Sequence, residues 1–218
     1  MIPGPLSRSE SALGPAPADT RQWPSVASRG TWVRAHAIGL GPWWFATAQP
    51  SDRESGGRFD LDSPEGTCYV ARTVETAVRE KVGHLGLSHR NLPAALLDTI
   101  AVAQLSPRHR PDRGPNVHLF HEDAVGLVTR ETSTDDSYAR SQEWARAFRR
   151  DGWAGIRYLP RFDPSPNGVA EAWFGPMGAH SLPATPVPDW RARLPNRPVR
   201  HLSSRHVRVI DPVAGGIP

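Results

Sequence analysis

Residues 57–80, GRFDLDSPEGTCYVARTVETAVRE, decide how the rest of the chain is read. Gly57-Arg58 opens the stretch as a basic turn, and Pro64-Glu65-Gly66 marks a second turn. Thr67-Cys68-Tyr69-Val70-Ala71 has the β-branched and aromatic content of a buried strand. Thr73 predicts an N-cap, because its hydroxyl can accept from first-turn N–H groups, and Glu75 follows where a carboxylate suits the helix dipole. Val74, Ala77, Val78 and Val82 fall at helical spacing and predict an apolar stripe. Glu80 lies on the edge of that stripe, beside Ala77, so its carboxylate is half-buried and looks back over the strand carrying Tyr69. The stretch thus predicts a strand–helix unit that gathers an arginine, a tyrosine and a glutamate.

Around it, 218 residues suffice for one domain with a sizeable core. The 23 prolines and 19 glycines predict many loops. Met1 to about Ser28 is rich in Pro, Ser, Ala and Gly with little apolar periodicity, which predicts a disordered tail over 1–28 and a domain over 29–218. The tail lacks the continuous apolar run of a secretory signal, and no stretch elsewhere reads as a membrane helix. Cys68 is the sole cysteine, which excludes an intrachain disulfide and suits a reducing cytoplasm. The formal charge of +4 and pI of 9.9 fit an anionic ligand, and a dinucleotide phosphate would fit as well as a nucleic acid. No dense basic cluster with interleaved aromatics and no helix-turn-helix pattern favours nucleic acid. His84 and His89 have no third ligand at metal spacing, so no metal is expected.

Reading outward, Thr31 to Ala37 alternates large and polar residues as a half-buried strand does, and carries Arg34. Trp43, Trp44 and Phe45 in a Gly/Pro-rich loop read either as a lid or as core plugs. Leu97–Leu105 reads as a strand, Val117–Phe120 and Val125–Val128 as weaker ones, and Arg108–Arg113 as a basic loop. A second helix is expected from about Tyr138 to Arg150, capped by Asp136 or Ser137 and closed by Gly152, with Trp144 and Phe148 facing the core. Ala154–Tyr158 and Val169–Phe174 read as strands. From Pro176 onward the chain reads as Pro-rich and irregular, up to a last strand at Val207–Ile210.

Gly-Arg-Phe-Asp at 57–60, Pro-x-Gly-x-x-Tyr-x-Ala at 64–71 and Thr-Ala-x-x-Glu at 76–80 resemble the RES domain family. Gln142-x-Trp144-Ala145 and Gly152-x-x-Gly155-Ile156-x-Tyr158 add to the resemblance, which runs with gaps from about Trp32 to about Phe174. It implies an α+β fold with a mixed, split sheet around an NAD+ cleft, similar to ADP-ribosyltransferase toxins. It further implies cleavage of NAD+ at the nicotinamide bond by hydrolysis or phosphorolysis, or use of NAD+ to ADP-ribosylate a protein. Many members are toxins paired with an Xre-type antitoxin, so such a partner is implied too.

On that resemblance Glu80, Arg58 and Arg34 are the catalytic candidates, with Tyr69, Ser141 and Arg161 added for NAD+ binding. A carboxylate suits the oxocarbenium-like ribose that forms as nicotinamide leaves. Guanidinium forks match diphosphate oxygens, and a tyrosine ring can stack on nicotinamide. The plain alternative is a surface ion pair of Glu80 with Arg79 or Arg34. The family serine lies two residues past the tyrosine, where this chain has Pro160, which offers neither a hydroxyl nor an N–H. Either Ser165 or Ser141 takes over that contact, or the site is altered into a non-catalytic, nucleotide- or partner-binding module.

Overall fold

The computed structural model describes residues 15–48, 56–83, 94–121, 138–163 and 168–194. In chain order they form β1 (Ser25–Val26), β2 (Trp32–Ala37), β3 (Trp44–Phe45), β4 (Glu65–Ala71) and α1 (Val74–Gly83). There follow α2 (Ala94–Leu97), β5 (Ile100–Leu105), β6 (Asn116–His118), α3 (Ala139–Arg150) and β7 (Gly155–Tyr158). Last come β8 (Ala170–Pro176), β9 (Gly178–Ala179) and β10 (Ala184–Pro186). Among the described residues, eight strands make one sheet in the order β1-β6-β7-β8-β4-β2-β5-β10, and β3 pairs with β9 apart from it. Only β6 and β7 run parallel, so the sheet is mixed and the fold is α+β.

The sheet is split as well as mixed. β4 and β8 share seven register pairs and β2 and β5 share six, yet β2 meets β4 through the single pair Val33↔Ala71. Alternation then sorts the side chains onto two faces. Tyr69, Ala71, Ala172 and Phe174 share a face with Val33 and Val102, and α1 and α3 both pack there. The apolar stripe of α1 (Val74, Ala77, Val78, Val82) is buried, and the Thr76 N–H donates to the Thr73 hydroxyl at 3.1 Å, so the expected cap forms. Ala145 and Phe148 of α3 are buried, while Trp144 is partly buried against the same cluster. Gly152, at φ 92°, closes α3 as expected. The reverse face carries Trp32, Cys68, Val70, Ala103, Leu105 and Trp173, covered by Trp43 and Phe45. Of the two readings of that aromatic run, core plugs is what Trp43 and Phe45 are: both are buried.

The expected tail through Ser28 is corrected from residue 15 onward. Thr20 is buried, and its N–H and hydroxyl both donate to Asp151 at 2.6 and 2.8 Å. Trp23 meets Trp144 and Phe148 edge-on, each at 5.4 Å between ring centroids, and Ser25–Val26 adds an edge strand to β6. These partners stand 90 or more residues away in sequence, so local composition does not register them. Trp23→Ala should therefore cost about 2 kcal/mol in a chemical-denaturation measurement, less than a fully buried tryptophan because one side is solvated. An unchanged midpoint would restore the loose tail. The region after Pro176 is also more regular than expected, since β10 pairs with β5 and Trp190 is buried under α1. Asp136, Ser137, Val125–Val128 and Val207–Ile210 lie outside the described residues.

Each arginine of α3 is occupied. Arg140 pairs with Glu143 at 2.6 Å, Arg146 with Asp62 at 3.3 Å, and Arg150 with Asp151 at 2.9 Å. Arg149 bridges Glu65 and Asp112. This helix therefore offers no unpaired cationic stripe to a polyanion. Among the described residues no helix is long and apolar enough to cross a membrane.

Candidate active site

Glu80 is set near the end of α1 by the stripe that buries Val78 and Val82. Its Oε1 accepts a hydrogen bond from the Phe162 backbone N–H at 2.7 Å. Gly83, one turn on, lets Phe162 come this close: a Cβ there would stand 2.1 Å from the phenyl ring. Burial pushes the Glu80 carboxyl up to about 6, against the Phe162 N–H and the Arg58 and Arg161 guanidiniums, while Asp163 adds to the rise. The surface-pair alternative fails because Arg79 bridges to Glu75 on its own helix.

Arg58 belongs to the four-residue turn over residues 57–60, and its charge acts on the Glu80 carboxyl. Tyr69 of β4 donates its hydroxyl hydrogen to Asp60 Oδ1 at 2.8 Å and accepts from the Phe59 N–H at 2.7 Å. Its ring packs against the core cluster that holds Phe59 and Tyr158. Burial first, and then the Asp60 charge, hold the Tyr69 phenol well above its ordinary value, so it stays a neutral donor. Tyr158 of β7 stands edge-on to Phe59 at 5.0 Å, and burial together with the Glu80 charge raises its phenol too. Arg161 donates to the Tyr138 hydroxyl at 3.2 Å and completes the cationic side.

The structure thus gathers Glu80, Arg58 and Arg161, with Tyr69 one turn away through Asp60. Strand alternation starts the Arg34 side chain on the same face as Trp32; its guanidinium contacts the Cys68 thiol, and its charge acts on Asp60 and on Lys81 of α1. Ser141 is buried and its hydroxyl donates to the Tyr138 carbonyl at 3.0 Å, a bond within its own turn. Pro160 is buried, and Ser165 lies outside the described residues. Asp60, Tyr158, Asp163 and the Phe162 N–H also stand at the candidate site, and sequence reasoning did not single them out. Asp60 was inside the Gly-Arg-Phe-Asp pattern, but its burial depends on how the turn folds.

Among the described residues no group of three or more His, Cys, Asp and Glu could hold a metal ion. A cleft of about 320 Å³ opens at the other end of α1, lined by Thr73, Thr76, Asp163, Gly168 and Arg193 among others. Asp163 links the two ends, since its carboxylate accepts from Thr76 at 2.5 Å while its charge acts on Glu80.

The RES domain family profile matches residues 31–194. No curated protein matches the sequence. A solved structure similar to this one is the M. tuberculosis MbcT–MbcA toxin–antitoxin complex. The similarity has a TM-score of 0.47 at 14% sequence identity and covers 75% of this chain and 86% of that one.

Proposed function

The chain belongs to the RES domain family, and from that premise we propose that it cleaves NAD+ at the bond between ribose and nicotinamide. The observation that carries the reading is Glu80, a carboxylate enclosed by protein yet flanked by Arg58 and Arg161. A carboxylate that must meet a positive ribose gains from being preorganised in a site that excludes water.

The C1′–N1 bond breaks with its electron pair going to the nicotinamide nitrogen, which leaves as the neutral ring. Ionised Glu80 stabilises the oxocarbenium-like ribose, and water or phosphate adds its oxygen at C1′. Where water adds, its proton passes to solvent. Arg58 and Arg161 hold the diphosphate, with Arg34 acting at longer range through Asp60. Tyr69 borders the nicotinamide end, and Ser141 braces the helix turn behind Tyr138 and Arg161. A toxin role, held in check by an Xre-type antitoxin, goes with this activity.

Chromatography of products after incubation with NAD+ tests the reading. Nicotinamide with ADP-ribose indicates hydrolysis, nicotinamide with ADP-ribose phosphate indicates phosphorolysis, and labelled protein indicates transfer. Pro160 favours a second reading, a non-catalytic module that binds a nucleotide or a partner, and absence of any nicotinamide release is its expected result.

The pH profile is a further expected outcome. Glu80 must be ionised to act and titrates at about 6, so turnover should rise with pH, reach half its plateau at about pH 6 and then level. A profile flat from pH 5 to 8, roughly one unit or more either side of that value, would remove Glu80 from the rate-limiting step.

A further inference from the structure

We propose that Asp60 is a positioning residue: with Tyr69 it closes the turn over residues 57–60 and so holds Arg58 ready beside Glu80. The inference rests on the site described above and deepens it. The hydrogen bonds among the described residues of the turn support it. Asp60 Oδ2 accepts from the Gly57 N–H at 2.6 Å, and the Asp60 N–H returns to the Gly57 carbonyl at 3.1 Å. Asp60 Oδ1 takes the Tyr69 hydroxyl hydrogen, and the same oxygen of Tyr69 takes the Phe59 N–H. Two outside groups finish the lock, with Gln142 of α3 donating to the Gly57 carbonyl at 3.1 Å and the Thr67 hydroxyl to the Phe59 carbonyl at 2.8 Å. The turn is too tight for any side chain at its first position, since a Cβ on Gly57 would lie 2.6 Å from both Asp60 Oδ1 and the Tyr69 oxygen. Arg58 is the residue this frame carries.

A carboxylate is an expensive way to close a turn. Asp60 is 1% exposed, and burial raises its pKa against the Gly57 N–H, the Tyr69 hydroxyl and the Arg34 charge. Serine or asparagine closes exposed turns without burying a charge. What the charge adds here is a counter-ion for Arg34, whose charge acts on Asp60. A prepositioned guanidinium loses little freedom when an anion binds, so the frame acts on substrate affinity more than on the chemical step.

Asp60→Asn, Arg58→Gln and the double variant test this, with Tyr69→Phe as a second way to open the turn if Asp60→Asn folds poorly. The first readout is the Glu80 carboxyl midpoint, followed by ¹³C NMR with Glu80→Gln identifying its resonance. Because Arg58 acts on Glu80, the midpoint should rise above the parental value in each single variant and rise no further in the double. The second readout is NAD+ turnover, in which Asp60→Asn should raise KM by about tenfold, with kcat changed less, and add nothing to Arg58→Gln. A parental Glu80 midpoint in both Asp60→Asn and Tyr69→Phe, or effects that add in the double variant, would overturn the proposal. If the parent protein releases no nicotinamide, the NAD+ reading falls, and the Glu80 midpoint alone decides the positioning role.

Discussion

Glu80→Gln should lower NAD+ turnover by about 10²-fold or more, the scale for losing one preorganised electrostatic contact, and should not lower stability at pH 7.5. Glutamine keeps an oxygen for the Phe162 N–H, now 2.7 Å from Glu80 Oε1, and removes only the charge. The sign of the stability effect follows from the raised pKa. Between its ordinary value of 4.5 and the folded value of about 6, the folded protein holds a proton that the unfolded chain has released. Stability from this group is therefore complete below 4.5 and is lost as pH rises through 6. Above that window ionised Glu80 weighs against folding, and the amide does not. Thermal unfolding at pH 4 and 7.5 should show the variant close to the parent in acid and equal or higher at 7.5. Parental turnover by the variant would end the catalytic assignment, and a large stability loss at 7.5 would make Glu80 structural.

The largest expected stability loss lies elsewhere, at Glu171. This β8 carboxylate is fully buried and receives four donors. Oε1 accepts from Arg157 Nε and Nη2 at 2.8 and 2.6 Å, and Oε2 from the Ser28 hydroxyl and the Trp173 indole N–H, each at 2.6 Å. Glu171→Ala leaves all of these donors without their acceptor, and breaking a buried pair from one side costs about 3–5 kcal/mol. For a domain of this size that corresponds to a fall in Tm of roughly 10 °C. Glu171→Gln, which keeps one acceptor oxygen, should lie between the two. If Glu171→Ala unfolds within 1 kcal/mol of the parent, roughly the worth of an exposed pair, the cluster is not the anchor that its geometry indicates.

Those two glutamates show what the sequence could and could not convey. Glu80 was legible because cap, stripe and carboxylate lie together between Thr73 and Val82, and local periodicity reports the face each occupies. Strands β2, β4, β7 and β8 were legible for the same reason. Glu171 sits in an apolar strand run, and nothing nearby in sequence announces Arg157 or Ser28. Trp23 and Thr20 were hidden likewise, in a segment whose composition reads as loop while its partners lie on α3 and beyond it. Arg34 illustrates a different limit. Its strand was placed correctly, but its guanidinium contacts the Cys68 thiol of β4 and its charge acts on Asp60 and Lys81, partners that the local pattern of β2 does not report.

The single register pair between β2 and β4 has a mechanical meaning. A full ladder would make the sheet one stiff plate, bending only as a whole. Here β1-β6-β7-β8-β4 and β2-β5-β10 are two plates, each stiffened by its own long ladders, and Val33↔Ala71 is the seam. Few backbone hydrogen bonds cross this seam, so side-chain packing joins the plates there: Val33 and Val102 with Ala71 and the α1 stripe on one face, Trp32 and Leu105 with Cys68, Val70 and Trp173 on the other. The Asp60 turn is built beside β4, whereas Arg34 rides on β2. The Arg34 side chain crosses the seam to the Cys68 thiol of β4, so its charge is tied to the plate that carries the turn.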